Sequence, residues 1–156
     1  MDRIEKHLLP TRRIAQRLRR AGFRVELMPA TDSYDLLVNE RVRVALRVAF
    51  PRSCDHHVTV RDRHYTYRYR SWNFNFHHHG KLERRYADVV VCLAMEPRYS
   101  SREEVFVIPW EAVSGKTFSL HAGRRRYAGQ YAKYVNRWPV ITQAVAETPA
   151  RLRKVA

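Results

Sequence analysis

Acidic residues are in short supply: 15 Asp and Glu face 30 Lys and Arg across 156 residues, a formal charge of +15 with His neutral. Such an excess costs self-repulsion in the compact state, and a polyanion relieves it. Cysteine is almost absent. Cys54 and Cys92 make no CxxC and no zinc spacing, which excludes a disulfide scaffold and a zinc ribbon and suits a reducing cytoplasm. Glycine (5) and proline (7) are sparse, and 45% of residues are hydrophobic, so the composition is that of a folded domain and not of a disordered tail. No apolar run approaches the ~18 residues of a membrane span, and residues 1–22 carry charge throughout, unlike a secretion signal.

What is present is mainly arginine. Its planar fork of donors fits phosphate, stacks on bases and reads guanine edges, so nucleic acid is the expected partner, with duplex DNA first. The length fits one domain, placed at 1–148, followed by a basic tail at 149–156.

Hydrophobic spacing predicts an amphipathic helix within 2–21, with Ile14 and Leu18 on one face, Leu8 extending it, Pro10 as a kink or a start, and Gly22 as the C-terminal stop. A short strand follows at 23–27. Strands at 34–38 and 41–50 form a hairpin around Asn39 and Glu40. In its second strand Val42, Val44, Leu46 and Val48 alternate with Arg41, Arg43, Ala45, Arg47 and Ala49, which sorts apolar from basic by face. Residues 51–57 read as a loop and 58–76 as one or two aromatic strands. A buried strand is expected at 87–94 around Asp88, with shorter strands at 105–108 and 117–121. Tyr127, Tyr131, Tyr134 and Trp138, three and four apart, predict a helix from 123 or 124 to 138, with a further helical segment at 141–146 beyond Pro139. The order implies a mixed α/β sheet flanked by terminal helices.

Asp35 is the sharpest candidate, a carboxylate inside an apolar strand. A three-residue turn sets it opposite Ala45, on the face of Arg43 and Arg47. A two-residue turn would set it on the apolar face, a poorer place for charge. On the favoured face it serves either a structural ion pair with Arg47 or a metal or phosphate site. Magnesium needs several oxygens, so a backbone carbonyl near Leu46 or a carboxylate such as Glu5 would have to join it.

Tyr34-Asp35-Leu36-Leu37-Val38-Asn39, followed by Val42-Arg43-Val44-Ala45-Leu46-Arg47-Val48-Ala49, resembles the core hairpin of the PD-(D/E)XK nuclease superfamily. The likeness continues through Trp72-Asn73-Phe74-Asn75, Ala87-Asp88-Val89-Val90-Val91 and Val105-Phe106-Val107-Ile108-Pro109, and covers roughly residues 10 to 138. The resemblance implies a restriction-endonuclease-like fold. It also implies a magnesium site built from an aspartate and a second carboxylate, with a lysine beside the attacking water. Asp35 matches the aspartate, although Tyr34 replaces the proline before it. Ala45 falls on the carboxylate position and Arg47 on the lysine position. Ala45 offers no oxygen, and Arg47 stays protonated and cannot act as a base. A non-catalytic descendant, a relocated carboxylate and an engineered inactive variant each account for this pattern. Gln130 and Tyr134 match a Gln-x-x-x-Tyr element of some branches, and equally an ordinary amphipathic helix.

Arg61, Arg63, Arg68 and Arg70 interleave with Tyr65, Tyr67 and Tyr69, a pattern suited to tracking a backbone or stacking bases, or else to a sheet with solvated arginines. Asn73 and Asn75, opposed to Trp72 and Phe74, are candidates for base or phosphate contact. His79 is a further phosphate candidate, as are Arg124, Arg125 and Arg126 at the expected helix start. His56, His57 and Asp55, and separately His77 to His79, are weaker candidates for a transition metal, since adjacent histidines point apart.

Three functions follow. The first is a DNA-binding protein on a nuclease-like scaffold with weakened or absent cleavage, by family analogy a possible homodimer. The second is an active Mg²⁺-dependent endonuclease with Asp35 as metal ligand and a relocated second carboxylate. The third is an RNA-binding or interaction module. A second carboxylate near Asp35 separates the first two.

Overall fold

The computed structural model describes residues 3–29, 32–76, 85–96, 104–115, 117–121 and 129–149. Helix α1 (Arg3–Arg20) runs through Pro10. Its buried face carries Thr11, Ile14, Ala15 and Leu18, whereas Leu8, expected on that face, is 40% exposed. Gly22 stops the helix at φ 92°, with the N–H of Gly22 donating to Arg19 O and that of Phe23 to Leu18 O. This pair of bonds satisfies carbonyls that a helix end leaves open, and glycine adopts the left-handed turn without Cβ strain.

Five strands form the main sheet: β1 (Val25–Leu27), β2 (Leu36–Val38), β3 (Val42–Ala49), β6 (Val89–Ala94) and β7 (Glu104–Pro109), in the spatial order β1-β2-β3-β6-β7. Only β3 and β6 run parallel. Three more strands, β4 (Arg52–Val60), β5 (Arg63–Asn75) and β8 (Thr117–His121), make a second antiparallel sheet in the order β4-β5-β8. Parallel neighbours need a long crossover, usually helical. Between β3 and β6 the described part of that crossover is the hairpin β4–β5.

Period-two alternation divides the core into two slabs. Val42, Val44, Leu46, Val89, Val91, Leu93, Val105 and Val107 face α1 and α2 (Pro139–Glu147), which cover one side of the main sheet. Ala49, Val90, Cys92, Ala94, Phe106 and Ile108 face the other way and meet Trp72, Phe74, Phe118 and Leu120 of the second sheet, with Phe76 just beyond β5. The result is a mixed α/β fold whose five-stranded sheet lies between two helices and a smaller sheet. No helix among the described residues is long and apolar enough to cross a membrane.

Two expectations fail. Residues 51–57 are not a loop, because most of them belong to β4. That strand is exposed along most of its length, so it has no buried face to write an apolar alternation into the sequence. The helix expected to reach residue 138 is also absent from its described part. Ala132–Tyr134 is one 3-10 turn, Val135 bridges Phe106, and Asn136 turns at φ 50°. Tyr131 packs into the second slab and Trp138 against the first. Their helical spacing is therefore the trace of a chain passing around the edge of β7. The helix begins only at Pro139, where a missing N–H costs nothing. Of that prediction, residues 123–128 lie outside the described residues, as does the tail from 150 onward.

Candidate nucleic-acid interface

The β2–β3 hairpin fixes the central site. Leu36 pairs with Val44 and Val38 with Val42, leaving a three-residue turn in which Asn39 and Glu40 hold φ of 50° and 58°. The same register carries Asp35, just before β2, to the position opposite Ala45, as the favoured reading expected. The Asp35 N–H donates to Val44 O at 3.0 Å, and Asp35 Oδ2 accepts the Leu46 N–H at 2.7 Å. The carboxylate thus adds a rung to the ladder where β2 has run out. The group near Leu46 that meets Asp35 is a donor, the reverse of the carbonyl a metal would require.

Arg43 does not reach outward. Its backbone N–H donates to Asp88 Oδ2 at 2.8 Å, and its guanidinium grips both oxygens, Nε to Oδ2 at 3.2 Å and Nη2 to Oδ1 at 3.1 Å. Arg85 Nη2 meets Asp88 Oδ1 at 3.1 Å and Glu111 Oε1 at 3.0 Å. The Asp88 side chain is 5% exposed and that of Arg43 18%. A buried carboxylate needs such partners, since desolvation otherwise exceeds the Coulomb gain. Arg47 donates to Leu46 O at 2.8 Å and Asn75 O at 3.0 Å, with its guanidinium carbon 5.1 Å from the centre of the Tyr86 ring. It pins the end of β5 over the main sheet. Tyr86 in turn donates its hydroxyl to Phe76 O at 2.6 Å, and burial raises its phenol above the ordinary value. Burial likewise pushes the Cys92 thiol up, leaving it a neutral packing group.

The donor set at this centre does not fit magnesium. One Asp35 oxygen is taken by a backbone N–H, Ala45 has no side-chain oxygen to offer, and Arg47 brings a cation. Among the described residues no group of three or more His, Cys, Asp or Glu side chains is placed to hold a metal ion. Side chains of residues 3–7, and so that of Glu5, lie outside those described.

The second site is an arm. β8 pairs with β5 from Ser71 to Asn75, so among the described residues β4 is the only strand paired with residues 63–70 of β5. The nine-residue β4 gives a two-stranded ribbon about 30 Å long. It turns at Arg61 and Asp62, both left-handed at φ of 49° and 60°, in a two-residue hairpin. Cross-strand pairing sorts its faces. One face carries Tyr65, Tyr67 and Tyr69 beside Val58, His56 and Cys54. The other carries Arg68 and Arg70 beside Asp55 and Ser53. Arg68 Nε meets Asp55 Oδ1 at 3.0 Å, a contact that holds the Asp55 carboxyl below its usual range. Arg70 Nη2 meets Glu96 Oε2 at 2.8 Å, with its guanidinium over Trp72.

The expected contacts therefore divide. Asp35, Arg43 and Arg47 are engaged within the fold. Arg61, Arg63, Arg68 and Arg70 gather on the arm, the last two in ion pairs. Asn73 and Asn75 are exposed at its root, where Ser119 Oγ donates to Asn73 Oδ1 at 2.7 Å. His56 and His57 sit on opposite faces of β4, as adjacent strand residues must. Gln130 accepts from Ser114 Oγ at 3.1 Å. His77 to His79 and Arg124 to Arg126 lie outside the described residues. The sequence reading missed Asp88 as the hub of two arginines, although a carboxylate in so apolar a strand signals a buried partner. It also missed Arg52 at the root of the arm.

No family model matches the chain, and neither a curated protein nor a solved structure matches it.

Proposed function

We propose that this is a nucleic-acid-binding protein on a restriction-endonuclease-like frame whose nuclease-like centre does not cleave. Support for the frame comes from a helix leading into the β1-β2-β3 meander, β6 parallel to β3, and Asp35 opposite Ala45 with Arg47 two residues on. Function lives in sites and not in the frame. The observation that carries the reading is the arm. On a chain of net charge +15, an exposed two-stranded ribbon presents Arg52, Arg61 and Arg63, for which no ion pair is found among the described residues. Guanidinium groups so placed neutralise phosphates and release counterions. The centre is left to hold the fold together: Asp35 completes a ladder, Arg43 locks Asp88 and Arg47 ties the two sheets.

Fluorescence anisotropy with labelled DNA over a salt series tests this. Binding should weaken steeply with salt, with a log–log slope of about −0.7 to −0.9 per phosphate contacted. Replacing Arg52, Arg61 and Arg63 together by Ala should flatten that slope by about 2 to 3. DNA incubated with Mg²⁺ or Mn²⁺ should stay intact. Cleavage that disappears in Asp35→Asn would overturn the non-cleaving assignment, and salt-independent or absent binding would overturn the partner class.

A further inference from the structure

The two faces of the arm differ in what they leave available. On the Arg68 and Arg70 face both guanidinium groups are matched by Asp55 and Glu96. On the opposite face Tyr65 is 40% exposed and Tyr67 57%. Their ring planes lie within 18° of each other at a centroid separation of 6.4 Å, close to the ~6.6 Å rise of two strand residues. The two rings thus stand one strand repeat apart. Tyr69 continues the row towards the root, where the same face of β5 brings exposed Asn73 and Asn75. Arg63 lies at the tip end of this face and Arg52 at its root, with Arg61 in the turn.

We infer that the tyrosine face of the β4–β5 arm is a stacking platform for the unpaired bases of a single-stranded nucleic acid, an inference that rests on the nucleic-acid reading above. Exposed ring faces at regular spacing seek other flat aromatic surfaces, and arginines at both ends of the row require the ligand to be anionic along its length. A single strand supplies both, a π-face on each base and a phosphate between bases. A duplex hides its base faces in the stack and offers only groove edges, which tyrosine rings read poorly. A second copy of this arm would bring Arg52, Arg61 and Arg63 of each chain towards their like. Base stacking is sequence-tolerant, so the platform should bind with little sequence preference, and Asn73 and Asn75 would meet base edges at the root. The expected partner thereby moves from duplex DNA to an unpaired strand.

The test is anisotropy with labelled oligothymidylate, oligouridylate and a duplex of equal length, on wild type, Tyr65→Ala, Tyr67→Ala and Tyr67→Phe. Single strands should bind more tightly than the duplex. Each alanine should weaken single-strand binding about 5- to 100-fold. Tyr67→Phe should retain it, since the ring and not the hydroxyl stacks. Unchanged thermal unfolding confirms that the variants fold. Equal, salt-sensitive binding of duplex and single strands, untouched by the alanines, would overturn the platform and leave nucleic-acid binding standing. No binding of any probe at low salt would overturn both. A dimer in sedimentation that dissociates in Tyr67→Ala would overturn the platform in favour of self-association.

Discussion

The hairpin centre and the β4–β5 arm are both rich in arginine, yet they use it in opposite ways. At the centre Arg43 faces Asp88 and Arg47 faces carbonyls, so each guanidinium already holds two bonds inside the fold. On the arm Arg52, Arg61 and Arg63 project where no acid meets them among the described residues. A strand covered by a second layer must satisfy its charges internally, whereas a ribbon outside the layers leaves them to solvent or ligand. The same division runs along β5 itself. From Trp72 onward its aromatics enter the core, whereas Tyr65 and Tyr67 are exposed and Tyr69 is half-buried.

The sharpest way to break this comparison is to cut one aromatic from each half of β5. Phe74→Ala should cost about 3–5 kcal/mol, because Phe74 is 2% exposed and stacks on Phe118 at 5.2 Å. Tyr67→Ala should stay within about 0.5 kcal/mol of wild type in urea unfolding. A large loss at Tyr67 would mean that the arm is packed and not free. Next comes Asp88→Ala, which strands the largely buried Arg43 while Arg85 keeps Glu111, and should cost about 3 kcal/mol. A neutral result would show that Arg43 has another outlet and is open to phosphate.

Asp35→Ala separates a ladder carboxylate from a catalytic one. Loss of the Leu46 N–H acceptor should destabilise by about 1–2 kcal/mol in the same unfolding assay. A metal-binding aspartate, held against its neighbours' interests, commonly yields a more stable protein when removed. A gain in stability would therefore restore the metal reading. The smallest effect is alkaline. Burial raises the Tyr86 phenol above its value in the unfolded chain, so the native state keeps the proton longer. Its contribution is whole below about pH 10 and is lost as pH rises through the folded value. Tyr86→Phe should remove that part of the alkaline decline, while costing about 1 kcal/mol at neutral pH through the Phe76 carbonyl it leaves unpaired. An unchanged alkaline limb would place the titration elsewhere.

Period-two patterns were readable wherever a strand had one buried face. The hairpin register followed from asking which face could tolerate Asp35. The strands at 89–94 and 104–109, expected at 87–94 and 105–108, followed from apolar runs too short for helices. The pattern misled where burial was not its cause. β4 shows no apolar face because almost nothing covers it, and the tyrosines near 131 keep helical spacing while the chain rounds a sheet edge. At the site, residue types were legible but partners were not. Arg43 and Asp88 are 45 positions apart, and nothing local announces that they meet.

The sequence by itself determined the charge, the alternating faces of β3 and the apolar side chain of Ala45 opposite Asp35, because these are properties of single residues and their immediate spacing. Tertiary structure alone decided which arginines remain available. That outcome depends on which distant acid or carbonyl arrives beside each guanidinium, and on β5 outrunning the layer that buries its far end.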